Sequence, residues 1–125
     1  LDVPCLALGL IARHPEVRWD RRLDNESAIR ATQRALLEAG ASCVRPGGRL
    51  VWVTCSPTRD ENEELVGAWL AEHPNFRLLA PAERLKPGWL PYLEIRDGWV
   101  RTRPDRIVCD GFAMAIMVRF SAPEN

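Results

Sequence analysis

Two cysteines in similar settings are the residues of this sequence best suited to chemistry. The run Val51-Trp52-Val53-Thr54-Cys55-Ser56 is apolar and ends by presenting a thiol and two hydroxyls. Entered through Pro46-Gly47-Gly48 and left through Ser56-Pro57, it reads as a parallel strand of an open α/β sheet, whose ligands bind outside the carboxyl ends of the strands. Leu1-Asp2-Val3-Pro4-Cys5 likewise reads as a strand end running into a turn, because Pro4 disfavours helix for Val3 and lacks a ladder donor. A thiolate at either place is a nucleophile. A buried structural cysteine is the plainer reading of each one alone, since free Cys is among the most buried residue types. The repetition of the setting is what favours reactivity.

The four cysteines, Cys5, Cys43, Cys55 and Cys109, lie too far apart for a paired metal-ligand spacing, and only His14 and His73 could join them, so no metal site is expected. Two disulfides are conceivable from an even count. The chain shows no secretory signal and is long enough to hold a core without staples, so reduced thiols are the expectation. With 46% hydrophobic and 27% charged residues, the 125-residue chain reads as one small soluble domain, placed in the cytoplasm. Apolar runs fall far short of the roughly 20 residues a spanning helix needs, so no membrane partner is expected. Seventeen basic residues balance seventeen acidic ones, so a nucleic-acid site would have to be a local patch. The densest candidate gathers Arg13, His14, Arg18, Arg21 and Arg22 against Glu16 and Asp20, with Trp19 as a stacking platform. The same segment reads equally as a solvated loop.

The elements that must position these residues alternate in type. From about Asn25 to Cys43, Ile29, Thr32, Leu36, Ala39 and Cys43 recur at helical spacing and predict one buried stripe, with Asp24 or Asn25 as cap and Cys43 in the core. After the Val51 strand, Asp60, Glu61, Glu63 and Glu64 open a second helix reaching about His73, with Leu65, Trp69 and Leu70 inward. Its first-turn acids read as complements of the helix dipole, while Asn62 could orient a neighbouring loop. Phe76 to Leu79 predicts a short strand, and Pro81 to Pro91 an irregular connection. Tyr92–Ile95 and Trp99–Thr102 flank Arg96-Asp97-Gly98 as a hairpin. The continuous apolar segment Gly111 to Phe120 reads as a final strand covered on both faces. The order predicts an α/β fold, with parallel strands joined by helices and an antiparallel finish.

Taken together, Asp2-Val3-Pro4-Cys5, Arg13-His14-Pro15-Glu16-Val17-Arg18-Trp19, Pro46-Gly47-Gly48, Val53-Thr54-Cys55-Ser56, Glu61-Asn62-Glu63 and Asp110-Gly111-Phe112 resemble, in order and spacing, the C-terminal half of the S-adenosylmethionine-dependent RNA cytosine-5 methyltransferases of the NOL1/NOP2/Sun class, the bacterial 16S ribosomal RNA enzymes in particular. The resemblance implies a Rossmann-like methyltransferase sheet and assigns the nucleophile to Cys55, which would add to carbon 6 of the target cytosine. It gives Cys5 a part in releasing the methylated product. Asp2 would lie beside S-adenosylmethionine and the cytosine ring. Arg13 and Arg18, with Trp19, would face RNA, most simply ribosomal RNA, whose target base must leave its stack.

Two departures from the family pattern qualify this reading. The usual Ser-Gly-x-Gly after the proline-cysteine is Leu6-Ala7-Leu8-Gly9 here, keeping only the last glycine. The family's glycine-rich cofactor loop and ribose-holding acid would precede Asp2. Residues 1–125 are therefore expected to be a partial methyltransferase domain, the catalytic half, with most of the cofactor site outside it. Such a chain would neither bind S-adenosylmethionine tightly nor methylate RNA alone, and an exposed sheet edge would invite self-association. The alternative is a non-catalytic RNA-binding or assembly fragment, motivated by Leu6 and Leu8. A thiol redox protein is disfavoured because Cys-x-x-Cys is absent.

Overall fold

The computed structural model describes residues 1–19, 25–81 and 85–121. Asp20, Arg21, Arg22 and the alternative helix cap Asp24 lie outside the described residues. Helix α1 spans Glu26–Ser42 and helix α2 spans Glu63–Glu72. The strands are β1 (Arg49–Thr54), β2 (Phe76–Leu78), β3 (Leu93–Arg96), β4 (Trp99–Thr102) and β5 (Ala113–Arg119). Short 3-10 turns form at Leu8–Leu10, Pro15–Trp19 and Pro87–Tyr92, the last within the segment expected to be irregular.

One face of the sheet carries the core. On β1, Leu50, Trp52 and Thr54 are buried, and their antiparallel partners on β5 are Met117, Ala115 and Ala113. Fully buried Trp52 lies across from the small Ala115, which leaves room for its ring. Leu37 and Ala41 of α1 and Val66 and Trp69 of α2 close over this face. Trp69 stacks on His73 and meets the edge of Phe76. The other face is less covered. Val51 is exposed there, and Met114, Ile116 and Val118 are half-buried, so β5 is buried along one face only.

The sheet differs from the expected one in which strands stand side by side. The order is β1-β5-β4-β3, with β2 also on β5, and every named pairing is antiparallel. Strands β1 and β2 do run the same way, because both are antiparallel to β5, but β5 stands between them. The cause is the composition of β5. Its run Ala113-Met114-Ala115-Ile116-Met117-Val118 is too apolar for an edge, and in the middle it fills both of its hydrogen-bonding sides: β1 along one, β4 and β2 end to end along the other. Parallel pairing among the described residues is confined to the first residues. Asp2 bridges Val53, the Val3 N–H donates to the Val53 carbonyl (3.1 Å), and the Val53 N–H donates to the Leu1 carbonyl (2.8 Å). The chain thus goes from Leu1–Val3 through α1 to β1, a parallel crossover between paired segments, and from β1 through α2 to the parallel but unpaired β2.

The predicted stripe on α1 is also displaced. Gln33, Leu37 and Ala41 are the buried residues, with Leu36 partly buried beside them, while Thr32, Ala39 and Cys43 are exposed. Cys43 is therefore not a core residue; its thiol contacts the Ala39 carbonyl at the helix surface. The face is fixed by Gln33, a polar residue that reaches inward for hydrogen bonds. Asn25 occupies the cap position without a side-chain cap bond. The hairpin forms as expected. Asp97 (φ 50°) and Gly98 (φ 84°) are both in the left-handed region that a two-residue type I′ turn requires.

Candidate active site

The fold brings the two strand-end cysteines together. Cys55 follows the last residue of β1 and Cys5 follows the paired segment Leu1–Val3, so the parallel register carries both chains to the same end of the sheet. Their sulfurs are 3.2 Å apart. That is a thiol–thiol hydrogen bond rather than a disulfide, whose S–S length is about 2.05 Å. All four cysteines are free thiols. Cys5 is buried and Cys55 partly exposed, which leaves Cys55 the approachable member. Burial, and then the hydrogen bond to Cys55, push the Cys5 thiol up to about 12, so it is neutral at ordinary pH.

Each cysteine is held by its neighbours' backbone. Beside Cys5, the Pro4 carbonyl accepts from Gln33 Nε2 (2.8 Å) and the Leu6 N–H donates to Glu61 Oε1 (2.9 Å). Beside Cys55, the Ser56 carbonyl accepts from Asn62 Nδ2 (2.9 Å), and the Cys55 carbonyl accepts from the Gly9 N–H (2.8 Å). Glu61 is fully buried and so is not the exposed complement of a helix dipole expected from its place in an acidic first turn. The neighbouring acids do bind surface arginines, Asp60 pairing with Arg30 (3.1 Å) and Glu63 with Arg101 (2.6 Å). Asn62 orients the loop after Cys55, as its position suggested. Gln33 gave no signal, because a glutamine inside a helical stripe reads as surface.

The remaining candidates are spread around this pair. Asp2 is exposed, one strand over from Val53 and at the same end of the sheet. Arg13 makes a bidentate ion pair with Asp110, Nε donating to Oδ1 at 2.8 Å and Nη2 to Oδ2. Those bonds hold the Asp110 carboxyl below its usual range. The pair ties the arginine-rich segment to the chain just before Gly111, whose N–H donates to the Gly9 carbonyl (2.8 Å). Arg13 is thus engaged within the protein. Arg18 lies over the Trp19 ring at 5.5 Å, and Trp19 is 77% exposed, an open stacking surface on the Pro15–Trp19 turn. No hydrogen bond among the described residues joins Arg18 or Trp19 to the thiol pair. A cleft of about 470 Å³ opens beside the loop after Cys55, with Pro57, Arg59, Glu63, Arg96 and Arg101 in its wall and neither Cys5 nor Cys55. Among the described residues no group of three His, Cys, Asp or Glu side chains is placed to hold a metal ion. No described helix is long and apolar enough to cross a membrane.

The model of the family described as 16S rRNA methyltransferase RsmB/F matches residues 1–117. Ribosomal RNA small subunit methyltransferase B of Vibrio cholerae serotype O1 is 43% identical over 101 residues, 79% of this chain and 23% of that protein. The probable ribosomal RNA small subunit methyltransferase B of Bacillus subtilis (strain 168) is 33% identical over 118 residues, 94% of this chain and 26% of its own length. Among solved structures, PH0851 superposes with a TM-score of 0.80 at 38% identity, covering 95% of this chain and 26% of that one. NSun6 from Pyrococcus horikoshii, solved with SFG, superposes with a TM-score of 0.73 at 27% identity, covering 98% and 29%. The chain spans about a quarter of the length of the curated relatives it matches. The fold is therefore that of the α/β methyltransferases, with an antiparallel β5 at its centre. A match across nearly all of the described residues, taken with two motif cysteines meeting at one end of the sheet, shows that the chain belongs to the 16S rRNA methyltransferase RsmB/F family.

Proposed function

We propose that this chain is the catalytic portion of an RNA cytosine-5 methyltransferase acting on ribosomal RNA, with Cys55 as nucleophile and Cys5 as its partner in product release. The observation that carries the reading is the 3.2 Å approach of the two thiols, one buried and one open. The Cys55 thiolate forms a bond to carbon 6 of a cytosine turned out of its stack, and the displaced electron pair makes carbon 5 nucleophilic. S-adenosylmethionine, when bound, supplies the methyl group to that carbon. Release then requires that a base take the carbon 5 proton and that the C6–S bond break, returning its electrons to Cys55. Cys5, whose sulfur lies 3.2 Å from that of Cys55, is within reach of this step.

The cofactor is supported by the family and by NSun6, solved with SFG, an S-adenosylmethionine analogue. Of this chain's residues Asp2 fits such a ligand, as an exposed carboxylate able to accept from amino or hydroxyl groups at the strand end. Arg18 and Trp19 suit an RNA surface, one as a cation and the other as a stacking platform. Arg13 contributes by holding that segment in place through Asp110.

Replacement of the two cysteines in a complete protein carrying this chain tests the reading. Cys55→Ala is expected to abolish methyl transfer to ribosomal RNA. Cys5→Ala is expected to accumulate a covalent protein–RNA adduct, seen as a retarded band on a denaturing gel. Full activity of Cys55→Ala would overturn the assignment. Unchanged RNA binding by a parent protein that transfers no methyl group would favour a non-catalytic RNA-binding role.

A further inference from the structure

We propose that Gln33, Glu61 and Asn62 act together as a positioning device that fixes the separation of the Cys5 and Cys55 thiols. The two cysteines belong to segments 50 residues apart in sequence. The consecutive residues Glu61 and Asn62 reach one to each. Glu61 Oε1 accepts from the Leu6 N–H at 2.9 Å, immediately after Cys5. Asn62 Nδ2 donates to the Ser56 carbonyl at 2.9 Å, immediately after Cys55, and to the Thr58 carbonyl at 2.7 Å, while its Oδ1 accepts from Thr54 Oγ1 at 2.8 Å. Gln33 completes the grip on the other side of Cys5. Both protons of its amide nitrogen are used, one on the Pro4 carbonyl (2.8 Å) and one on Glu61 Oε1 (2.9 Å).

The chemistry of the three residues suits position rather than bulk. Glu61 is fully buried, and its donors are a backbone amide, a carboxamide and the Thr58 hydroxyl (3.1 Å), all neutral. A buried carboxylate held this way is costly, and an apolar side chain of similar volume fills such a space at least as well. What the carboxylate supplies is a set of short, directional bonds to named backbone atoms. Gln33 is also fully buried, and among the described residues its Oε1 has no donor, a cost that a space-filling residue would not carry. Both costs fall where the peptides flanking Cys5 are fixed. None of the three is a catalytic residue; each acts through the cysteines.

This inference rests on the reading of Cys5 and Cys55 as working thiols, and its test does not depend on methyl transfer. With Cys43 and Cys109 replaced by serine, the chain is equilibrated in glutathione buffers. Oxidised glutathione takes two electrons and two protons from the pair, giving the Cys5–Cys55 disulfide and two reduced glutathiones, and the equilibrium reports the effective concentration of one thiol at the other. Glu61→Ala and Gln33→Met are expected to lower it at least about tenfold, a drop of about 1.4 kcal/mol in coupling. Glu61→Gln, which keeps the accepting oxygen, is expected to stay within about threefold of the parent. Gln33→Met, nearly unchanged in volume, carries the comparison where Glu61→Ala does not fold. Parent-like values in the folded variants overturn the proposal, as does a Glu61→Gln protein as impaired as the one lacking the side chain. In the complete protein the same variants are expected to lower kcat with KM for RNA unchanged. Loss of thiol coupling with an active Cys55→Ala protein would sink the catalytic reading alone, and unchanged coupling with an inactive Cys55→Ala protein would sink the positioning device alone.

Discussion

Ala7 and Gly9 are small residues two apart, and the backbone asks opposite things of them. Ala7 is in the left-handed region (φ 58°) at the turn after Cys5, where the family pattern carries glycine. That conformation costs a residue with a Cβ about 1–2 kcal/mol, and the extra freedom of an unfolded glycine returns about 0.5–1 kcal/mol of any gain. Ala7→Gly is therefore expected to stabilise the fold by about 0.5–1 kcal/mol. At Gly9 a Cβ would lie 1.9 Å from the Gly111 carbonyl oxygen and 2.8 Å from that of Cys55, backbone atoms that cannot step aside. Gly9→Ala should cost at least about 1–3 kcal/mol and loosen the loop on Cys55. Urea denaturation of the two variants checks both signs, and a shift of both midpoints in one direction would contradict the account. The cysteines were legible in the sequence because residue type and strand-end setting announce them. Gln33 and Glu61 were not, because a polar side chain reads as solvated until its partner is known, and the backbone groups they bind are 29 residues away at Pro4 and 55 away at Leu6.

Elements were more legible than their neighbours. Both helices, the hairpin and the last strand lie where periodicity and turn residues put them, since those signals are local. The partner of β5 is not local. Register with Arg49–Thr54 joins residues more than 50 apart, and periodicity carries no information on which strands are neighbours, so the place of β5 between β1 and β2 was not legible. Rotation of the α1 face has the same origin, because two stripes one residue apart fit the spacing nearly equally and tertiary hydrogen bonds to Gln33 choose between them. The choice has a measurable consequence. Leu37, fully buried against the Trp52 and Trp69 cluster, should cost about 2–5 kcal/mol when truncated to alanine. Cys43→Ala on the exposed side should change stability by no more than about 0.5 kcal/mol. Thermal unfolding of the pair distinguishes the faces, and a larger loss at Cys43 would restore the stripe expected from spacing.

At the scale of the whole molecule, the site is asymmetric in what it can hold. At the end of the sheet bearing Cys5 and Cys55, the backbone beside each thiol is bonded by Gln33 of α1 or by Glu61 and Asn62 just before α2. A cofactor with a charged sulfonium, a ribose and a carboxylate needs more. Such groups are usually cradled by backbone amides of a glycine-rich turn at a helix N-terminus and by an acid for the ribose. The adjacent glycines here, Gly47 and Gly48, lie at the amino end of β1, away from Cys55, and their amides are already spent on the carbonyls of Arg119 (2.7 Å) and Arg45 (2.8 Å). Among the described residues the proposed cofactor site then has Asp2 as its contact, and one exposed carboxylate contributes little against solvent. Titration calorimetry of S-adenosylmethionine into the 125-residue chain is therefore expected to show no binding at micromolar concentration. A complete protein carrying this chain should bind it, and Asp2→Ala there should weaken the affinity. Micromolar binding by the chain alone would mean that the residues around Asp2 and the thiol pair form a cofactor site by themselves, and the division of labour argued from Gly47, Gly48 and Asp2 would fall.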